Sequence, residues 1–262
     1  MGKITDALKK AAQERIGRLE KVSHIDEHKG KIIVRKIKDS KVDPRLVPYF
    51  DTKSLISEQY KILRTNIVAL QKKNPMRTIV MTSSIHSEGK TITSLNLAIT
   101  LAQATQKPKV LLVDADMRRG RIRKYLGADS HVGLSEILAG NGTLDDAIFQ
   151  LDVDNLSFIS SGQVPANPSE LLDSEAMKNL LRDLKGKFDY VLIDTPPIIP
   201  VTDAGIVGSM VDGVLMIIEA GRTQRGVVHR AEELLHQSHC KVIGHVLTNI
   251  QYHLPQYIYR YL

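Results

Sequence analysis

The sequence predicts an α/β fold, a doubly wound parallel sheet flanked by helices, and three observations carry that expectation. Short runs of continuous apolar residues, such as Thr78-Ile79-Val80-Met81 and Tyr190-Val191-Leu192-Ile193, recur along the chain with no polar alternation. Such runs mark strands buried on both faces, the signature of a parallel sheet. Segments of helical period separate them. Polar and charged residues of chemical interest fall directly after the apolar runs, where ligands of such sheets bind.

Taken in order, residues 54–73 read as a helix and 78–84 as the first strand of the sheet. A helix over 90–104 and a strand over 109–116 follow. Next come a strand at 156–162, a helix at 174–186 and a strand at 190–197. A strand at 213–221, a helix at 227–238 and a strand at 242–250 complete the domain, assigned to residues 54–250. Before it, residues 1–53 read as an arm and linker, with one short strand at 31–37. Ile4, Leu8, Ala12, Ile16, Leu19 and Val22 share one helical face, and Lys9, Lys10, Arg15, Arg18 and Lys21 occupy the others. After the domain, residues 251–262 form an aperiodic segment expected to be flexible, holding four of the eight tyrosines.

The net charge of +7 is concentrated. Residues 1–53 contain 14 Lys/Arg against 8 Asp/Glu, so the rest of the chain is nearly neutral. Basicity confined to an arm, without a nucleic-acid-binding motif, argues against nucleic acid and for an anionic lipid surface or a protein partner. The single cysteine, Cys240, rules out an internal disulfide and fits a reducing cytoplasm. No apolar run reaches the ~20 residues that a membrane span requires. His236, His239 and Cys240 lie close in sequence, but three soft ligands without a fourth make a poor metal site.

The chemistry gathers at three strand ends. Ser84-Ile85-His86-Ser87-Glu88-Gly89-Lys90-Thr91 follows the first strand and opens a helix, which is the order a P-loop demands, with serine for the first glycine. Converging backbone N–H groups and the helix N-terminus cradle phosphates there. Lys90 reaches the terminal phosphates and Thr91 offers a hydroxyl to Mg²⁺. Asp114 and Asp116 end the second strand at i, i+2 and are expected on one face; one holds a hydrated Mg²⁺ while the other is free as a base. Asp194 ends the strand at 190–197, where a Walker-B carboxylate belongs. Five basic residues, Arg118, Arg119, Arg121, Arg123 and Lys124, follow the second acidic motif and suit a phosphate or an acidic segment, or form a solvated face.

With those residues in view, the chain resembles the bacterial tyrosine kinases (BY-kinases) of the polysaccharide-synthesis autokinase group, a P-loop fold of the MinD/ParA-related type. The resemblance runs from about Ser57 onward through SEQYKILRTN, SSIHSEGKT, LLVDADMRRG, SSGQVPANPSELL, DYVLIDTPPIIPVTDA and the tyrosine-rich end. It implies ATP and Mg²⁺ as cofactors. Ser84, Ser87, Glu88, Gly89, Lys90, Thr91 and Ile92, with Asn249 at the adenine, then form the nucleotide site. Lys90, Asp114 and Asp116 are implied as catalytic, Asp114 taking the tyrosine proton, although on geometry alone either aspartate fits that part. Thr91, Asp116 and Asp194 are implied as the metal set. Tyr252, Tyr257, Tyr259 and Tyr261 are implied as autophosphorylation sites, phosphorylated in trans. The implied partners are a membrane-embedded polysaccharide co-polymerase on a separate chain and further copies of this chain, arranged as a ring. That places the protein in the cytoplasm, peripheral to the inner face of the membrane.

Two departures stand out. Family members carry Pro-Gly where this chain has His86-Ser87, so serine is expected to strain a loop that wants positive φ. In the subunit-joining helix, family members carry E-x-x-R-x-x-R; here Glu58, Lys61 and Arg64 occupy the pattern. Lysine keeps the charge and loses the bidentate fork, and an intrahelical ion pair is the competing reading. A MinD/ParA-like ATPase switch is the main functional alternative, but its P-loop places a lysine where Ile85 stands. A catalytically weak, nucleotide-dependent adaptor is the other.

Overall fold

The computed structural model describes residues 42–128, 132–150 and 153–250. The basic amphipathic segment, the strand expected at 31–37, and Tyr252, Tyr257, Tyr259 and Tyr261 lie outside the described residues.

In chain order the elements begin with α1 (Val47–Phe50), α2 (Leu55–Lys73), β1 (Thr78–Ser83), α3 (Lys90–Ala102) and β2 (Val110–Asp114). Short helices α4 (Ile122–Leu126), α5 (Leu134–Leu138) and α6 (Leu144–Ala147) lead to β3 (Ile148–Gln150) and β4 (Leu156–Ile159). Then come α7 (Pro168–Leu172), α8 (Glu175–Lys187), β5 (Tyr190–Asp194), α9 (Asp203–Ser209), β6 (Gly213–Glu219), α10 (Arg225–Gln237) and β7 (Val242–Thr248).

The strands form one sheet in the order β3-β4-β2-β5-β1-β6-β7, parallel throughout except β3, which runs antiparallel to β4. Every residue of β1, β2 and β5 is buried, so these strands need apolar side chains on both faces. The period of two then divides the core. Ile79 and Met81 pack with Leu46, Ile67, Leu97 and Leu101 on one face. Val80 packs with Leu180, Leu184, Val207 and Leu235 on the other. Truncating Leu97, which is fully buried, to alanine is expected to cost about 2–5 kcal/mol.

The helices start where their caps allow. Ser54 Oγ accepts from Ser57 N (3.2 Å) ahead of α2, and Ser174 Oγ accepts from Met177 N (3.3 Å) ahead of α8. Away from the site, Asp212 knots the lower edge of the sheet. Its carboxylate accepts from the backbone N–H groups of Arg77 (2.8 Å) and Thr78 (3.0 Å) and from Lys185 Nζ (2.5 Å). Burial alone pushes this acid up, but the Lys185 ammonium and the two amides outweigh it and hold the group at about 2.

Besides the short helices α1, α4, α5, α6, α7 and α9, which were not expected, the structure differs from the sequence expectation in three places. The stretch expected as linker is part of the body from Val42 onward, because Val42, Leu46 and Tyr49 are buried in the core. Strand β3 was not expected; three residues carry too little periodicity to announce an edge strand. Strand β2 ends at Asp114, so Asp116 sits in the following turn rather than on the same strand face.

Candidate active site

The P-loop closes at Gly89, whose φ of 85° lies in the left-handed region and whose absent Cβ spares a steric penalty there. Ser87 shares that conformation at φ 67°. Its strain is braced from outside the loop. Arg222 Nη1 donates to the Ser87 carbonyl (2.9 Å) and Nη2 to the His86 carbonyl (3.3 Å). The same guanidinium pairs with Glu219 Oε2 at 2.6 Å. Glu88 turns its buried carboxylate inward, accepting from Ile85 N (2.8 Å), Glu219 N (3.2 Å) and the Thr223 hydroxyl. Thr248 Oγ1 donates to the Glu88 carbonyl at 2.8 Å. The loop is thus fastened to the ends of β6 and β7. Glu88, expected at the nucleotide, shapes the loop and does not line the cavity.

Beneath the loop the charged groups converge. Lys90 Nζ lies 2.9 Å from Asp194 Oδ2, with both side chains buried. Thr91 Oγ1 donates to Asp194 Oδ2 (2.7 Å) and Ser94 Oγ to Asp194 Oδ1 (2.9 Å). Asp114 is the register partner of Asp194 across β2 and β5. Its oxygens accept from Asp116 N (3.2 Å) and Ile122 N (3.0 Å). Burial, reinforced by the neighbouring Asp194 charge, pushes the Asp114 carboxyl up to about 7.

A cavity of about 260 Å³ opens above these groups. Ser87, Gly89, Lys90, Thr91 and Ile92 form one wall. Asp116, Arg119 and Arg121 form another, and Arg45 and Tyr125 a third. Arg45 is held by both oxygens of Asp43 (2.9 and 2.8 Å) and lies over the Tyr125 ring, 5.1 Å from its centroid. Asp116 Oδ1 accepts from Arg119 N at 2.9 Å. Asp114, Asp116 and Asp194 were expected to converge on one sheet edge with Lys90 and Thr91; Asp114 and Asp194 end paired strands there, and Asp116 stands beside them on the cavity wall with Lys90 and Thr91. No three carboxylate, histidine or cysteine side chains gather as a metal cluster among the described residues.

Ser84 is fully buried with an unpartnered hydroxyl, off the cavity wall. Asn249 also stands off it, at φ 51°, its amide donating to Glu219 Oε1 (3.0 Å). On α2, Lys61 Nζ pairs with Glu58 Oε1 at 2.7 Å, the intrahelical contact. Arg64 turns to the domain instead, donating to the Thr100 carbonyl at 3.0 Å. Burial raises the Cys240 thiol to about 11, which keeps it protonated and unreactive.

The Thr91 hydroxyl and the Asp194 carboxylate are hard oxygen donors beside a phosphate-binding loop, a set that fits Mg²⁺. Sequence reasoning missed Arg45, Glu219, Arg222 and Thr223. The spacing of Glu219 and Arg222 just past a strand is a weak signal, and nothing in it points back to His86 and Ser87.

Comparison with known proteins agrees with this fold. The AAA domain family matches residues 76–232. The tyrosine-protein kinase YwqD of Bacillus subtilis is 35% identical over 215 residues, 82% of this chain and 90% of its own length. The kinase domain of the Escherichia coli tyrosine kinase ETK superposes with a TM-score of 0.75 at 29% identity, covering 90% of this chain and 89% of that one. The Pyrococcus furiosus cell division ATPase MinD shares the fold more distantly, with a TM-score of 0.56 at 27% identity over 65% of this chain and 71% of its own.

Proposed function

Because this chain belongs to the bacterial tyrosine kinases, we infer that it phosphorylates its own C-terminal tyrosines, Tyr252, Tyr257, Tyr259 and Tyr261, between copies of the chain and at the expense of ATP. The observation that carries this reading is the meeting of Lys90, Thr91, Asp194 and Asp114 at one sheet edge beneath a cavity.

In the proposed reaction the phenol oxygen attacks the γ-phosphorus of ATP, the bond to the bridging oxygen of the leaving ADP breaks, and the phenol proton passes to a carboxylate. The braced loop positions the phosphates through its backbone N–H groups and the start of α3. Lys90 neutralises charge that builds on the transferring group. Thr91 and Asp194, with Asp116 at the cavity wall, would hold Mg²⁺, which when bound neutralises phosphate charge. Asp114 is assigned as the base, at the end of β2 and fixed by two backbone donors. One observation favours Asp116 for that part: Asp116 lines the cavity, whereas Asp114 is 1% exposed.

We further propose that the kinase serves exopolysaccharide or capsule synthesis and export. In this reading a membrane-embedded co-polymerase on another chain activates it, and the basic arm recruits it to that partner or to the inner leaflet. The support is the family resemblance and the arm's charge pattern. No helix among the described residues is long and apolar enough to cross a membrane. Incubating the purified chain with ATP and Mg²⁺ and probing for phosphotyrosine tests the kinase reading. Signal that disappears in Lys90→Met supports it; ATP hydrolysis without phosphotyrosine at any protein concentration contradicts it.

A further inference from the structure

A second cavity, of about 390 Å³, adjoins the first. Arg119 and Arg121 stand in the walls of both. Arg123, Ser160 and Ser161 also line the second, and Val164 stands 71% exposed at its rim. Two contacts fix this architecture. Arg118 is taken up by Asp203 (Nε to Oδ2, 2.9 Å) and Ser169 (Nη2 to Oγ, 2.9 Å), which anchors the turn after β2. Gly120 lets that turn lie flat, since a Cβ there would come within 2.0 Å of Ser161 Oγ and 3.0 Å of Asp114 Oδ2. The guanidinium groups of Arg119 and Arg121 are exposed, with no carboxylate partner among the described residues.

Two exposed guanidinium groups in no ion pair among the described residues, beside hydroxyl groups and one wall away from the reacting centre, suit a phosphate monoester. We propose that this second cavity is a phosphotyrosine subsite that holds an already phosphorylated tyrosine of the acceptor segment while the next tyrosine enters the first cavity. The proposal rests on the tail-kinase reading above and names the form of substrate that the site prefers. Tyr257, Tyr259 and Tyr261 alternate in the sequence. In an extended segment alternate side chains point the same way about 6.6 Å apart, so two of these tyrosines face one side of the segment together. Among its side chains the tail has His253 and Arg260 and no acid, so phosphorylation supplies the first side-chain anions for two arginines. A phosphate then adds close to two negative charges and three acceptor oxygens that match the guanidinium fork. The first transfer would therefore favour the next.

The test uses the full chain with Tyr252, Tyr257, Tyr259 and Tyr261 changed to Phe, so that its own tail is not a substrate. Two peptides spanning residues 256–262 are compared, one unmodified and one phosphorylated on Tyr261. Affinity is read by fluorescence anisotropy, and initial rates of transfer are measured with ATP and Mg²⁺. The expected result is affinity at least about tenfold tighter for the phosphorylated peptide, weakening with salt. Its KM should be lower, its kcat similar, and the preference should vanish in Arg119→Gln/Arg121→Gln. Inorganic phosphate at the peptide's concentration should not displace it. Equal or weaker binding of the phosphorylated peptide, with transfer intact, overturns the subsite and leaves the kinase reading standing. Tight binding of the phosphorylated peptide with no transfer to either one supports the subsite and overturns the tail as substrate.

Discussion

Asp114 and Asp194 are register partners at the carboxyl ends of adjacent strands, yet among the described residues only Asp194 forms an ion pair, with Lys90 Nζ at 2.9 Å. The two buried acids are thereby made unequal. Asp194 also takes the hydroxyls of Thr91 and Ser94, whereas Asp114 takes only backbone donors among the described residues. On the proposed reading, groups placed this way would divide the work, Asp194 serving phosphate and metal and Asp114 taking the acceptor's proton.

Asp114→Asn keeps the shape and removes the proton acceptor. Its kcat for tyrosine phosphorylation should fall by about 10²–10⁴, with little change in the KM for ATP. Asp116→Asn is the control. If Asp116 is the base, it is this variant that shows the larger loss in kcat at saturating ATP and Mg²⁺.

Lys90→Met strips Asp194 of its cation and leaves two buried acids facing each other. We expect loss of activity together with destabilisation of about 3 kcal/mol at neutral pH, read by urea unfolding. Asp194→Asn added to Lys90→Met should recover much of the stability and none of the activity.

The loop brace makes a separable prediction. Arg222→Ala frees the carbonyls of His86 and Ser87, and the KM for ATP should rise about tenfold, equivalent to about 1.4 kcal/mol of lost positioning, while kcat changes little. Ser87→Gly in that background should restore part of the affinity, because glycine holds φ 67° without strain.

Asp212 gives a pH signature remote from the site. Its folded pKa, about 2, lies below the ordinary carboxylate value of 3.8. Its stabilisation is therefore fully present above the unfolded value and is lost as pH falls through the folded one. Allowing for solvent screening, Asp212→Asn should cost about 1–2 kcal/mol at pH 7. The gap from wild type should close as the pH approaches 2.

What the sequence revealed of this molecule follows from where each interaction lies along the chain. Strands buried on both faces are apolar through their middles, so β1, β2 and β5 declare themselves. The P-loop does so too, because phosphate binding demands Gly89, Lys90 and Thr91 in that order. Contacts that cross the chain leave no such trace. Arg222 reaches back to Ser87, Arg64 to the Thr100 carbonyl, and Arg45 to the cavity from a stretch that reads as linker. Asp116 was misplaced on the strand because the turn that swings it onto the cavity wall depends on its own capping of Arg119 N.

The central claim, that this site transfers phosphate to the chain's own C-terminal tyrosines, is tested most directly by mass-spectrometric mapping of phosphotyrosine after incubation with ATP and Mg²⁺. The account predicts phosphate on Tyr252, Tyr257, Tyr259 and Tyr261, formed at a rate that rises with protein concentration and absent in Lys90→Met. An unmodified tail beside phosphate on tyrosines of the folded domain would contradict it.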